Sequence, residues 1–149
     1  MNAPIALTPI GVLRTPFATL AECPRNGRAL SPPPLCHVEL TAGMESALEG
    51  IEGFSHLILL YWLGGDFPCL LQVTPHSSDR PRGVFATRSP RRPNPIGLSV
   101  VSLAGREGAL RLGVRNLDCL DGTPLLDIKP YLARTDAEPA ATRGWLGGT

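Results

Sequence analysis

Short hydrophobic runs, separated by segments rich in glycine and proline, predict a protein built mainly from β-strands. Residues 35–40 alternate apolar and polar side chains with a period of two, as a half-buried strand does. Residues 54–63 are continuously apolar and rich in aromatic and branched side chains, which predicts a central strand. Residues 109–117 alternate again, and the Gly-Arg-Glu-Gly turn before them predicts a hairpin with a strand over residues 96–105.

Weaker strand signals and one short helix complete the predicted pattern. The weaker strand-like segments are residues 5–17, which contain Pro9, and residues 70–75, 83–88 and 125–129. Thr41 is a candidate N-cap for a short helix that ends near Glu49, before Gly50. About seven short strands with one short helix favour an all-β barrel or sandwich.

Length and composition bound the class of protein. A chain of 149 residues with 43% hydrophobic and 18% charged residues indicates one globular domain, residues 1–149, rather than a disordered chain. Within it we expect a core over about residues 5–132 and a C-terminal tail over residues 133–149. No apolar run reaches the about 18 residues of a membrane helix, and no basic start precedes an apolar run, so we expect a cytoplasmic protein without membrane contact.

The cysteines and histidines do not predict a metal site. Cys23, Cys36, Cys69 and Cys119 are widely spaced and form no C-x-x-C pair, so they are interpreted as reduced core thiols. His37 and His76 also lack the spacing of metal ligands. We therefore expect no bound metal.

The strongest charge feature is an arginine-rich segment that contains little else that is charged. Five arginines lie within thirteen residues, with only Asp79 beside them: Arg80, Arg82, Arg88, Arg91 and Arg92. In the stretch ATRSPRRPNPIGLS, three prolines restrict the backbone, so the last three of these arginines are held on a stiff loop. A stiff loop loses less entropy when its arginines bind an anion. The alternative interpretation is a solvated basic loop.

An acidic turn is the second candidate for chemistry. Asp121 begins the sequence Asp-Gly-Thr-Pro, which is also a good structural turn, and Asp118 and Asp127 flank it. His56 opens the apolar strand, where a lone histidine is either a core residue or part of a site. No G-x-G-x-x-G follows a strand, so a Rossmann nucleotide site has no support. The residues alone indicate a ligand that is anionic or zwitterionic.

Two long motifs give the chain a family resemblance. GVFATRSPRRPNPIGLS and LDCLDGTPLLDIKPYL resemble the two signature blocks of the TsaA-like, or TrmO, family, which also includes YaeB-like proteins. Two further segments occur in the order expected for the family and support the resemblance: IGVLRTPF and LEGIEGFSHLILLYWL. The resemblance implies a single-domain β-barrel methyltransferase that binds S-adenosylmethionine without a Rossmann fold. It further implies methylation of N6 of threonylcarbamoyl-adenosine beside the anticodon of tRNA, by a homodimer.

The resemblance also implies site residues in this chain. The expected cofactor contacts are Pro24, Arg25, Asn26, Gly27, His56, Leu57, Arg88, Leu98, Asp121, Gly122, Thr123 and Pro124. The arginine-rich segment itself, rather than the resemblance, gives the expected substrate contacts Arg80, Arg82, Arg91, Arg92 and Asn94. The candidate catalytic bases are Asp118, Asp121 and His56, and the sequence does not choose among them. Many members place an aromatic–His pair after the long strand, where this chain has Gly64 and Gly65.

Three functions remain open at this point. The first is an RNA-modifying methyltransferase with tRNA as its partner. The second is a barrel methyltransferase that acts on a small molecule. The third is a non-catalytic RNA-binding barrel. Bound S-adenosylmethionine separates the first two from the third, and the salt dependence of RNA binding separates the first from the second.

Overall fold

A computed structural model describes residues 2–147 of the chain. Its strands are β1 (Gly11–Arg14), β2 (Cys36–Leu40), β3 (His56–Trp62), β4 (Gln72–Val73), β5 (Arg82–Gly83), β6 (Ile96–Arg106), β7 (Arg111–Arg115) and β8 (Thr123–Pro130). The α-helix α1 spans Ala133–Asp136, and 3₁₀-helices cover Leu20–Glu22, Glu45–Leu48, Ile51–Gly53, Val84–Ala86 and Gly144–Leu146. No helix within residues 2–147 has the length and apolar character needed to cross a membrane.

The described residues form two compact units. The first unit comprises residues 2–65 and Ile96–Tyr131, and the second comprises Asp66–Pro95 and residues 132–147. The assignment of residues 1–149 to one domain stays a prediction.

The first unit is a closed barrel, which confirms the all-β barrel. Six antiparallel strands close in the order β1-β2-β7-β6-β3-β8. Alternate residues point inwards, as in Leu57, Leu59 and Tyr61 of β3, which are all buried. Val101 and Leu125 join them from the neighbouring strands. Burying side chains of this size stabilises a fold by about 1.5–3 kcal/mol each, so the barrel core holds the strands in register.

The second unit contains a small hairpin and most of the arginine-rich segment. In the hairpin, Gln72 pairs with Gly83 and Val73 pairs with Arg82. The described part of the predicted tail belongs to this unit, where the indole Nε1 of Trp145 donates a 2.7 Å hydrogen bond to the carbonyl of Ala86. The tail therefore has specific contacts with the arginine-rich segment.

Two predicted elements differ from the structure. The helix expected over residues 41–49 is only the 3₁₀-helix Glu45–Leu48, whose buried Leu48 packs into the core, and the α-helix lies instead at Ala133–Asp136. The strand expected over residues 83–88 is also wrong beyond Gly83. Residues Val84–Ala86 form a 3₁₀ turn there, because both the amide and the hydroxyl of Thr87 donate to the carbonyl of Val84.

Candidate functional site

A hydrogen-bonded cluster of three side chains lies at the end of β3. The hydroxyl of Tyr61 donates to Oδ1 of Asp118 at 3.1 Å and lies 2.8 Å from Oγ of Ser99. Because the single phenolic proton goes to the carboxylate, the hydroxyl of Ser99 donates to Tyr61. Tyr61 and Ser99 are buried, while Asp118 is half-buried. The barrel interior therefore holds this carboxylate where solvent still reaches it.

Gly97 provides the space for Tyr61. The two residues are paired across β3 and β6, and a Cβ at position 97 would overlap the ring of Tyr61. Burial, followed by the nearby Asp118 carboxylate, raises the pKa of Tyr61 above its ordinary range. The phenol therefore stays protonated and remains a donor to Asp118.

The structure brings part of the predicted cofactor loop close to Asp118. Gly27 lies so near the main chain of Asn116 that a Cβ on the glycine would overlap the Asn116 carbonyl. Asn116 itself adopts a left-handed conformation with φ of 75°. Burial, then the charges of Asp118 and Glu22, raise the pKa of the Cys23 thiol at the start of this loop. The half-buried Pro24 and the exposed side chains of Arg25 and Asn26 lie on the same loop.

The carboxylate of Asp121 contacts the end of β1. Its Oδ1 accepts a 3.0 Å hydrogen bond from the amide of Thr15, and its Oδ2 lies 3.9 Å from the guanidinium of Arg14. The amide of Asp121 donates in turn to the carbonyl of Phe17. The structure thus gives Asp121 a structural role in holding the turn.

The rest of the Asp-Gly-Thr-Pro turn is also held by main-chain contacts. Gly122 has φ of 82° and donates its amide to the carbonyl of Leu13. The amide and hydroxyl of Thr123 both donate to the carbonyl of Leu120, at 3.2 and 2.6 Å. The half-buried Pro124 lies on the outward face of β8 and lines a cavity of about 300 Å³. The side chains that line this cavity are all apolar: Ile5, Leu7, Pro9, Trp62, Pro124 and Leu126.

His56 does not join the cluster around Tyr61. The two side chains face opposite sides of β3 and lie five residues apart, a rise of about 16 Å along a strand. The His56 ring instead has its Nδ1 2.8 Å from the hydroxyl of Ser55 and its centroid 6.4 Å from that of Tyr131. His56 and Asp118 are therefore not adjacent parts of one catalytic group.

The two predicted leucine contacts differ in exposure. Leu57 is fully buried in the barrel core, whereas the side chain of Leu98 is 53% exposed on the outer face of β6. Leu98 pairs there with Leu60 of β3. The side chain of Leu57 therefore has no surface to offer a ligand, while that of Leu98 has.

The arginines of the second unit are held in different ways. Arg88 is exposed, and within residues 2–147 its guanidinium takes part in no hydrogen bond or ion pair. In contrast, Nη1 of Arg92 donates to the carbonyls of Thr87 and Ser89, at 2.8 and 3.3 Å. Arg91 is exposed, with its guanidinium 6.0 Å from the ring of Phe67. Arg88 is thus the arginine most available to an anion, and Arg92 shapes its own loop.

The other predicted substrate contacts lie in the same unit. Arg80 is exposed, with Nε 3.9 Å from Asp79, an ion pair that solvent weakens. Arg82 is half-buried, with its guanidinium 4.9 Å from the ring of Trp145. Asn94 is exposed. Within the described residues, no group of three histidine, cysteine or acidic side chains could hold a metal ion.

Tyr61 and Ser99 were not predicted from the sequence. Both lie in strands whose pattern indicates only core residues. One signal could have found them: a phenol and a hydroxyl stand at inward positions of otherwise apolar strands. Buried polar groups need partners, so such positions indicate a hydrogen bond inside the barrel. The contact of Tyr61 with Asp118 follows from the fold and not from sequence spacing.

Comparisons with known proteins agree with this architecture. The sequence model of the tRNA-methyltransferase O N-terminal domain matches residues 12–137. A probable S-adenosyl-L-methionine-binding protein of Archaeoglobus fulgidus is 45% identical over 95% of this chain, which spans 38% of that protein. The tRNA (adenine(37)-N6)-methyltransferase of Escherichia coli is 37% identical over 91% of this chain and 61% of its own length.

A solved structure shows the same fold. The crystal structure of TrmO from Pseudomonas aeruginosa superposes with a TM-score of 0.80 at 40% identity, covering 95% of this chain and 62% of that one. The chain thus spans less than two thirds of each of these three proteins. Sequence, strand order and structural similarity all lead to the same assignment: the chain belongs to the TrmO N-terminal domain family.

Proposed function

We propose that this protein is an S-adenosylmethionine-dependent methyltransferase that modifies N6 of threonylcarbamoyl-adenosine in tRNA. The observation that carries the proposal is the carboxylate of Asp118, held by Tyr61 beside the loop 24–27 in a barrel of the TrmO family. Relatives named as S-adenosyl-L-methionine-binding proteins and as tRNA (adenine(37)-N6)-methyltransferases support the cofactor and the substrate class. A more specific part of the proposal is that the methylated adenosine carries a threonylcarbamoyl group.

The charged groups of this chain fit the cofactor chemically. S-adenosylmethionine supplies an activated methyl group on a positively charged sulfur and carries a zwitterionic amino acid. On the barrel, the carboxylate of Asp118 beside loop 24–27 suits the positive charge of the cofactor sulfur. In the second unit, the exposed Arg88 suits a carboxylate because a guanidinium offers two parallel N–H donors. We propose loop 24–27 and the turn at 121–124 on the barrel, and separately Arg88, as cofactor contacts.

Proton removal is the step in which we assign a residue to catalysis. Transfer of a methyl group to N6 releases one proton from that nitrogen, and the adjacent carbonyl makes the N–H more acidic, so a modest base suffices. We propose that Asp118 accepts this proton. The carboxylate of Asp121 is engaged by Thr15, and His56 faces the other side of β3. Tyr61 orients Asp118 through its hydrogen bond.

We propose that different arginines contact different parts of the RNA. Arg80 is exposed and suits phosphate, while Arg91 and Asn94 are exposed on the stiff loop and suit the modified base. Arg82 and Arg92 have partners within their own unit, so we expect their effect on RNA to come partly through the shape of that unit. A tRNA substrate also implies the cytoplasmic location expected from the sequence.

A homodimer is the remaining part of the proposal. Outward-facing residues of β3 and β6 pair as Ile58 with Val100, Leu60 with Leu98, and Trp62 with Ile96. Leu98 and Ile96 are 53% and 42% exposed. A continuous apolar row of this kind is typical of a protein interface, and a second copy of the chain would bury it.

The deciding experiment is methyl transfer from labelled S-adenosylmethionine to two tRNA pools, one from cells that make threonylcarbamoyl-adenosine and one from cells that do not. We expect labelling of the modified pool alone, with the label in the nucleoside N6-methyl-threonylcarbamoyl-adenosine. Equal labelling of both pools would show that methyl transfer does not require the threonylcarbamoyl group. Labelling of a small-molecule extract but of neither pool supports a small-molecule methyltransferase, and cofactor-free RNA binding supports a non-catalytic barrel.

A further inference from the structure

Arginine–aromatic pairs are concentrated in the second unit. All three such pairs among residues 2–147 lie there: Arg82 with Trp145, Arg91 with Phe67, and Arg92 with Phe85. Pairs of this kind occur about once per 70–80 residues in protein structures, so three within residues 66–95 and 132–147 is a high density. Alternating guanidinium groups and aromatic rings are the surface that unpaired nucleobases bind by stacking.

Phe85 is the most exposed ring of the three. Its side chain is 77% exposed, whereas Phe67 and Trp145 are half-buried. The guanidinium of Arg92 lies 5.9 Å from the centre of the Phe85 ring, and the contacts of Arg92 with two loop carbonyls fix it there. Most of this ring is therefore open to a ligand beside a positive charge.

The backbone on both sides of Phe85 is held in place. The buried Val84 precedes it, and the carbonyl of Val84 accepts the amide and hydroxyl of Thr87. The carbonyl of Ala86, which follows it, accepts the indole N–H of Trp145 at 2.7 Å. A ring presented on a fixed turn loses little entropy on binding.

We propose that Phe85 and Arg92, here called the Phe85 platform, stack an unpaired base of the RNA substrate. This inference rests on the proposed RNA function and adds a contact to it. The arginine-rich sequence from Arg80 to Arg92, with Asp79 as its only acidic neighbour, makes RNA the complementary occupant. Phosphates contact the exposed arginines, and the base lies on the ring.

The test measures binding of a labelled single-stranded RNA of about 12 nucleotides, a length within the range of single-strand binding sites. Phe85→Leu keeps an apolar side chain but removes the aromatic face. We expect it to weaken binding about 5- to 150-fold, the range for one base–aromatic stack, and Phe85→Trp to retain binding. The salt dependence of Phe85→Leu should equal that of the wild type, because no phosphate contact is lost.

Leu71 supplies the matched control, since it is 72% exposed in the same unit but pairs with no arginine. Leu71→Ala should bind RNA like the wild type. Unchanged binding by Phe85→Leu overturns the platform, as does a wild type that binds no RNA. A change in association state on Phe85→Leu, measured by light scattering, also overturns it by assigning the ring to a second copy of the chain.

Methyl transfer separates this inference from the proposed function. A wild type that binds RNA through Phe85 but methylates no tRNA keeps the platform and refutes the proposed reaction. A wild type that methylates tRNA, with the same KM for Phe85→Leu, keeps the reaction and refutes the platform.

Discussion

Tyr61 donates a 3.1 Å hydrogen bond to Asp118, a residue 57 positions later in the chain. The long strand β3 carries the phenol, and the loop between β7 and β8 carries the carboxylate. Ser99 of β6 completes the cluster at 2.8 Å from the phenol oxygen. Two segments that are distant in sequence thus meet at one carboxylate, which distinguishes Asp118 from the other two candidate bases.

Asp118→Asn should abolish most methyl transfer while leaving S-adenosylmethionine binding measurable. An amide has nearly the same shape as the carboxylate but cannot accept the proton. General acid–base groups contribute about 10²- to 10⁴-fold, so we expect a loss of kcat in that range. Transfer to tRNA under single-turnover conditions is the measurement.

Asp121→Asn is the matched variant for this prediction. It should lower stability by about 1 kcal/mol, because the amide of Thr15 loses a charged acceptor, with little change in kcat. His56→Gln should also retain transfer, since His56 faces away from the cluster. A larger loss of kcat for either variant than for Asp118→Asn would refute the assignment of the base.

Tyr61→Phe tests the positioning of Asp118. Loss of the phenol leaves the buried hydroxyl of Ser99 without its partner, which should cost about 1–3 kcal/mol in urea unfolding. Asp118 also loses the hydrogen bond from Tyr61, so kcat should fall while cofactor affinity stays. Ser99→Ala removes the hydroxyl but keeps the Tyr61–Asp118 bond, so it should retain kcat. Equal kcat in the two variants would contradict a positioning role for Tyr61.

Much of the strand content could be predicted from the sequence, but barrel closure could not. Alternation gives the inward positions of β2 and β7 because it depends only on neighbours along the chain, whereas the continuously apolar β3 offers no alternation. Closure depends on the pairing of Gly11 in β1 with Leu125 in β8, and no local pattern encodes that register. The strand prediction for residues 83–88 was wrong because the hydroxyl of Thr87 donates to the carbonyl of Val84 and stabilises a 3₁₀ turn there.

The candidate site was predicted as separate motifs rather than as an arrangement. The sequence identified Asp118 and Asp121 equally, since both are aspartates in one turn-rich segment. Only the fold shows that Asp121 binds the end of β1 while Asp118 meets Tyr61. The three arginines of the stiff loop looked equivalent too, yet the carbonyls of that loop engage Arg92 and leave Arg88 available.

Arg88→Ala should weaken S-adenosylmethionine binding by about tenfold or more, the scale of one lost charge-assisted contact of about 1.5–3 kcal/mol. Arg88→Lys should restore it only in part, because an ammonium group does not replace a bidentate guanidinium. Calorimetry without added metal and again with a chelator measures both. Arg134→Ala, an exposed arginine outside the motif, is the control. Wild-type affinity in Arg88→Ala removes this residue from the cofactor site.

Ile96→Asp should dissociate the proposed dimer. The substitution places a charge in the apolar row beside Trp62, and burying an unpaired carboxylate at an interface is strongly unfavourable. Ala104→Asp adds the same charge at an exposed position of the same strand outside that row, so it should remain dimeric. Light scattering at micromolar concentration gives the mass. A monomeric wild type with cofactor bound would refute the dimer.

Two buried thiols should make the fold sensitive to alkaline pH. Burial raises the pKa of Cys36 from 9.0 to about 11 and that of Cys119 to about 12. In the unfolded chain the thiols ionise near pH 9, whereas in the fold they stay neutral, so rising pH favours unfolding. The free energy of unfolding should therefore fall by about 1 kcal/mol per thiol between pH 9 and pH 10. Urea unfolding at these two pH values measures the slope. Cys36→Ala should reduce it, while Cys69→Ser, at an exposed position, should leave it unchanged. A slope that Cys36→Ala does not reduce would show that this thiol ionises alike in both states.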